Sequence, residues 1–351
     1  MIFIPKGITP KERLQSTFRL EEVDRLPIVQ PLQTGTIELM KESGFYWPDA
    51  HKVADKMAGL SYAAHALIGF ESVRIPFDIN VEAEALGCSL DWKRWDMQPP
   101  IKVPAIQTPE MIDKLEVPDT TKVARMPTVI GAAELLSSKV KTESLPLLVA
   151  IVGPFMIAGQ VRGVDQYLIE TIEEPDLVHK LLKICTQTCK EYTNEVEKAG
   201  ADVISIIDAT SSPDLISPKN YDTFSLPYTK DMISNSKVPN ILHICGKTRP
   251  ILDRMVSTGA RAVSIDSSVD MSDLKKVATG KCATAGNVSV VGSLFLGTPD
   301  EVAEETRIAI GKGVDIPCTS CGIAPTTTNE NLRAMVSTIK RFGMKYTQRL
   351  K

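Results

Sequence analysis

No stretch of the chain stays apolar for long enough to cross a bilayer. The longest candidate, LPLLVAIVGPFMIAG (145–159), is broken by Gly153 and Pro154 and falls short of the roughly 20 residues a spanning helix needs. A buried strand with its exit loop accounts for it better. A basic face is missing as well: 40 Lys and Arg against 43 Asp and Glu give a net charge of -3, which argues against nucleic acid or an anionic membrane surface as partner. MIFIPKGITPKERL at the N-terminus lacks the basic segment, apolar core and cleavage site of a secretory signal, so a cytoplasmic location is expected. No G-x-G-x-x-G follows an early strand. CGKT (245–248) is not a P-loop, because the first glycine of that motif would fall on Ile241. Internal repeats and low-complexity segments are also lacking. In such a chain the seven cysteines read as reduced thiols or metal ligands rather than a disulfide framework.

What the chain does contain is β-α alternation. Short apolar runs at 25–31, 72–78, 146–153, 202–208, 239–245, 262–266, 282–287 and 313–320 are separated by segments with apolar residues at helical spacing. One of these is EPDLVHKLLKICTQTCKEYTNEVEKAG, closed by Gly200. Such alternation implies parallel strands joined by helical crossovers. Eight strands in 351 residues predict a single (β/α)8 TIM-type barrel spanning 1–351. An N-terminal helical extension and an insertion at about 79–145 take up the excess length.

Catalytic groups of such barrels collect at the C-terminal ends of the strands. Here those ends carry Asp78 and Asn80, Gly153-Pro154-Phe155, Asp208, His243 and Cys245, Asp266, Asn287, and Cys318 and Cys321. His243 and Cys245, at i and i+2 in LHICG, point to one side of an extended backbone. With one remote thiol they match an open, catalytic zinc site; with both Cys318 and Cys321 they match a closed, structural one. Ordinary core packing explains the same residues equally well. Cys185, Cys189, Cys88 and Cys282 read as core. His51, His65 and His179 read as surface residues, and Glu82 and Glu84 of VEAEALG as solvated. Asp208, with Ser and Asp residues further along to cap the next helix, is free for function. Thr248 reads as an N-cap ahead of Pro250, with Lys247 and Arg249 beside it suited to an anionic group.

Five segments together resemble the uroporphyrinogen decarboxylase superfamily: PFDINVEAEALG (76–87), VGPFMIAG (152–159), the stretch 206–233, LHICG (242–246) and CGIAPTTTNENLRAM (321–335). The resemblance runs in order over nearly the whole chain and implies a (β/α)8 barrel. It divides into two branches. The decarboxylases open with an arginine- and glycine-rich substrate segment, but 27–44 here has no arginine. They carry a tyrosine where this chain has Gln160, and a histidine where it has Cys321, although Asp78 matches their catalytic aspartate.

The corrinoid-dependent methyltransferase branch, of methylcobamide:coenzyme M type, fits better, and the segment 42–78 is similar to it. That resemblance implies Zn2+ held by His243, Cys245 and Cys321, with Cys318 an extra thiol, and a small thiol or methyl donor as substrate. A methyl-corrinoid would be the co-substrate. Since no D-x-H-x-x-G element is present to hold it, a partner corrinoid protein is expected to carry it. Asp78, in a catalytic role, and Asn80, Gln160 and Asp208, as substrate-binding groups, are the candidates for lining the mouth. Alternatives are a decarboxylase-like lyase and a non-catalytic zinc-stabilised binding protein.

Overall fold

The computed structural model describes residues 7–347. Its strands are β1 (Val73–Ile75), β2 (Ser89–Leu90), β3 (Ile101–Val103), β4 (Leu147–Val152), β5 (Val203–Ile207), β6 (Asn240–Ile244), β7 (Ala262–Ile265), β8 (Ala283–Val288) and β9 (Ile316–Thr319). Seven of them form one sheet in the order β1-β4-β5-β6-β7-β8-β9, every neighbouring pair parallel. Helices cover the crossovers, as parallel strands require, and the sheet curls into a TIM-type α/β fold. The strands have buried residues at consecutive positions, BBBBBB along β4 and BBBBB along β5, as expected where helices cover the outer face and side chains fill the inner one.

The expected first strand, at 25–31, does not form a ladder. Pro27 and Pro31 remove two backbone donors, and the segment forms no regular strand, although residues 26–31 are buried. It nevertheless lies between β1 and β9. Ile28 O accepts from Glu71 N at 2.7 Å, and Gln30 Nε2 donates to Thr319 Oγ1 at 2.6 Å. Gln33 Nε2 reaches Ile323 O, also at 2.6 Å. Side-chain amides thus span the gap that a backbone ladder would close.

The barrel interior holds Val29, Leu148, Val203, Ile241, Ala262, Ala283, Ala285, Ile316 and Cys318. Three alanines leave space in that layer, and Leu14 and Phe18 from the helix Pro10–Phe18 join the same cluster to fill it. Thr9 and Glu12 cap that helix reciprocally. Between β1 and β4 lie the short helix Val81–Ala85, the antiparallel β2-β3 pair and the helix Met126–Lys141; the last packs on β1 and β4 as their crossover. Among the described residues no helix is long and apolar enough to cross a membrane.

Candidate metal centre

Alternation along β6 sends Ile241 into the barrel interior, and His243, two residues on, follows it. The strand ends at Ile244. Beyond it Gly246, at φ +76°, turns the chain where a Cβ would lie 2.7 Å from Ser212 Oγ, so only glycine fits there without strain. Cys245 is therefore held at the C-terminal rim. Cys321 arrives from the other side, two residues past β9. Its carbonyl accepts from Thr319 Oγ1 at 2.5 Å, and Ser320 N donates to Val288 O at 2.7 Å.

Strands β6 and β9 are separated by β7 and β8, yet the three side chains meet. His243 Nε2 lies 3.0 Å from Cys245 Sγ, and Cys245 Sγ lies 3.2 Å from Cys321 Sγ. All three donor atoms fall within 4.8 Å of one another. A tetrahedral zinc ion with bonds of about 2.3 Å to sulfur sets its sulfur ligands roughly 3.8 Å apart, so shifts of a few tenths of an ångström would seat one. His243 is buried and both thiols are half-buried, which leaves one side open.

The electrostatics prepare this trio for a cation. The hydrogen bond from Cys245 pushes Cys321 down to about 4, against the effect of burial and with His243 contributing. The same bond, together with burial, pushes Cys245 up. Cysteine binds a metal as thiolate, and Cys321, the thiol pushed down, is the readier of the two to supply one. Cys318 stays out of the group. It is fully buried in the barrel interior, where burial raises its thiol to about 12.

The other expected site residues make contacts within the protein, though Asp208 Oδ2 and Gln160 Oε1 are buried without a hydrogen-bond partner among the described residues. Asp208 is fully buried, and its Oδ1 accepts from Met156 N at 3.0 Å. It caps the helix Pro154–Arg162, whose own N-cap residue is Gly153. Burial raises its carboxyl to about 7 despite bonds from Ser211 and Met156. A Cβ on Gly153 would sit 2.6 Å from Asp208 Oδ2. Gly153→Ala should therefore cost about 1–3 kcal/mol through overpacking, measured by urea unfolding.

Asn80 and Gln160 bind each other: Gln160 Nε2 donates to Asn80 Oδ1 at 2.9 Å and to Ile79 O at 2.8 Å. Asn80 Nδ2 in turn donates to Pro99 O at 2.7 Å. Asp78 is clamped by Arg125, with contacts of 2.7 and 3.0 Å, and His51 Nδ1 lies 2.8 Å from it.

Several expectations need correction. His51 is not a surface residue but 1% exposed, stacked near Trp47 at a centroid distance of 4.9 Å. His65 and His179 are half-buried, the former 3.1 Å from Glu143 and the latter 2.8 Å from Tyr228 Oη. Glu82 is buried and accepts from Val152 N at 3.0 Å, and burial raises it to about 7. Glu84 is tied to Arg125 at 2.6 Å. Thr248 precedes the short turn Arg249–Ile251 but makes no side-chain cap. Arg249 pairs with Asp273 at 3.0 Å. Cys88, Cys185, Cys189 and Cys282 are buried as expected. Sequence reasoning missed Ser264, Thr319, Gln30 and Arg125, all of which touch or brace these groups; only spatial proximity reveals them.

One imidazole and two thiols are thus gathered at the C-terminal mouth of a parallel barrel, a donor set that could hold a metal ion. The family profile described as Uroporphyrinogen decarboxylase (URO-D) matches residues 9–342, and the chain belongs to that family. Among its relatives, the methylcobamide:CoM methyltransferase MtbA of Methanosarcina mazei is 38% identical, over 95% of this chain and 98% of that protein. The uroporphyrinogen decarboxylase of Myxococcus xanthus is more distant, at 27% over 91% and 95%. A solved structure described as a methyltransferase from Methanosarcina mazei superposes with a TM-score of 0.92 at 32% identity, covering 96% of this chain and 99% of the other.

Proposed function

We propose that this protein is a zinc-dependent methyltransferase that moves a methyl group between a methyl-corrinoid, carried by a partner corrinoid protein, and a small thiol such as coenzyme M. The observation that carries the reading is the convergence of His243, Cys245 and Cys321 at the open end of the barrel. The methylcobamide:CoM methyltransferases at 38% and 34% identity support the choice of substrates.

His243 and the two thiolates would hold Zn2+ with a fourth position left for the substrate. Zinc held by these three residues would supply Lewis acidity, lowering the pKa of a substrate thiol at the open position so that thiolate would be available at neutral pH. Cys245 and Cys321, as thiolates, would offset the ion's charge and so keep the substrate sulfur electron-rich. That sulfur forms a bond to the methyl carbon while the cobalt–carbon bond breaks, and both electrons stay on the metal of the corrinoid, reducing cobalt(III) to cobalt(I). His243 and Cys318 are buried while Cys245 and Cys321 are half-buried, so the reacting face is the one toward the mouth, where a docked carrier can present its methyl group.

The decarboxylase alternative loses support at Asp78. Burial opposes its charge, but the Arg125 guanidinium and His51 hold the carboxyl well below its usual range. Both its oxygens are engaged by side chains of the protein itself. The test is methyl transfer from methylcobalamin to coenzyme M, followed by the absorbance of cob(I)alamin, with zinc measured in the same preparation. About one zinc per chain and thiol methylation are expected, with no decarboxylation of uroporphyrinogen. Porphyrinogen turnover without methyl transfer would reverse the choice of branch.

A further inference from the structure

We infer that Ser264 is a positioning residue for the metal ligand His243, fixing the imidazole so that Nε2 is the coordinating nitrogen; the inference rests on the zinc reading above. Its first basis is strand register. In the β6-β7 pair His243 lies directly opposite Ser264, and opposed residues of adjacent strands project on the same face. Ile241 and Ala262, the preceding inward pair of that register, both lie in the barrel interior, so two residues on the hydroxyl and the imidazole sit side by side inside it.

The second basis is distance. Ser264 Oγ is 3.0 Å from His243 Nδ1, while Nε2 of the same ring is 3.0 Å from Cys245 Sγ. Both residues are buried, at 0% and 1% exposure, so water does not compete for the ring. A neutral imidazole carries one proton. Placed on Nδ1 and donated to Ser264 Oγ, that proton leaves the Nε2 lone pair facing the two sulfurs. Placed on Nε2, it would point at Cys245 and shut the trio to a cation. The hydroxyl accommodates either state, because it can accept from Nδ1–H or donate to a bare Nδ1. It therefore fixes the ring's orientation, with Nε2 toward the two sulfurs, and adds no charge as a carboxylate there would; a cation at Nε2 then leaves the proton on Nδ1, where the hydroxyl accepts it.

The experiment compares wild type, Ser264→Ala and Ser264→Thr as full-length apoproteins, titrated with zinc against a chromophoric chelator, with apoprotein melting temperatures taken alongside. Loss of an outer-shell partner of a metal-bound histidine weakens metal binding about 10- to 100-fold. That loss is expected for Ser264→Ala with the apo melting temperature unchanged, whereas Ser264→Thr, which keeps the oxygen, should bind within a few-fold of wild type. Wild-type affinity in Ser264→Ala overturns the inference. So does equal weakening in both variants, or a fall in apo stability that tracks the loss of zinc, since either marks a packing role. A wild type that takes up no zinc would instead overturn the metal reading itself.

Discussion

Cys321→Ser is expected to abolish stoichiometric zinc and to lower thiol methylation by more than about 100-fold, a larger loss than that from removing an outer-shell partner. Cys318→Ala should leave both near wild type. The contrast follows from where the two sulfurs lie. Cys321 is half-buried, 3.2 Å from Cys245 Sγ, while Cys318 packs among Ile316, Ala285 and Leu148 inside the barrel. Removing one of three ligands leaves a histidine and one thiolate, too few to fix a tetrahedral ion with an open position. The fold should survive, because Cys321 belongs to none of the buried apolar clusters. Metal analysis, methylcobalamin turnover and thermal melting of both variants check the expectation. Release of zinc from Cys318→Ala, with melting, would show a closed four-ligand site and remove the enzyme reading.

The choice between those two cysteines marks how far the sequence could be read. His243 and Cys245 are legible because a strand has a two-residue period, and the barrel because its strands and helices alternate. Cys318 and Cys321 are not separable by pattern. The chain leaves β9 at Thr319, so strand alternation governs the first and a turn governs the second. The segment 25–31 has the composition of a strand, but two prolines and the amides of Gln30 and Gln33 decide its pairing, and amide partners almost 290 positions away leave no local trace. Asp208 illustrates the same limit. A carboxylate after an apolar run signals function or a cap, and the helix it caps begins more than fifty residues earlier, at Pro154.

Arg125→Met should destabilise the protein by about 3–5 kcal/mol, because it leaves Asp78 as an uncompensated buried charge. Arg125 is the hub of this region. It grips both oxygens of Asp78, binds Glu84 at 2.6 Å and lies 4.8 Å from the centre of the Trp92 ring. Burial alone would raise the Asp78 carboxyl; the guanidinium, aided by His51, instead holds it far below its usual value. In the wild type this group therefore contributes stability that is fully present above an unfolded pKa near about 4 and is lost as pH falls through the folded value. In Arg125→Met burial dominates and the folded pKa lies above the unfolded one. The sign then reverses: the native state binds the extra proton, and stability declines as pH rises from about 4 toward neutrality. Urea unfolding between pH 4 and 8 should show a steeper decline with pH for Arg125→Met than for the wild type, in which Asp78 contributes almost no slope over that range. Asp78→Asn combined with Arg125→Met should recover part of the loss, as expected for directly coupled neighbours. Zinc content should stay at one per chain throughout, since neither residue belongs to the His243, Cys245 and Cys321 trio. If Asp78→Asn alone abolished methyl transfer while stability and zinc remained at wild-type levels, the pair would belong to the chemistry, and its assignment as an internal brace would be wrong.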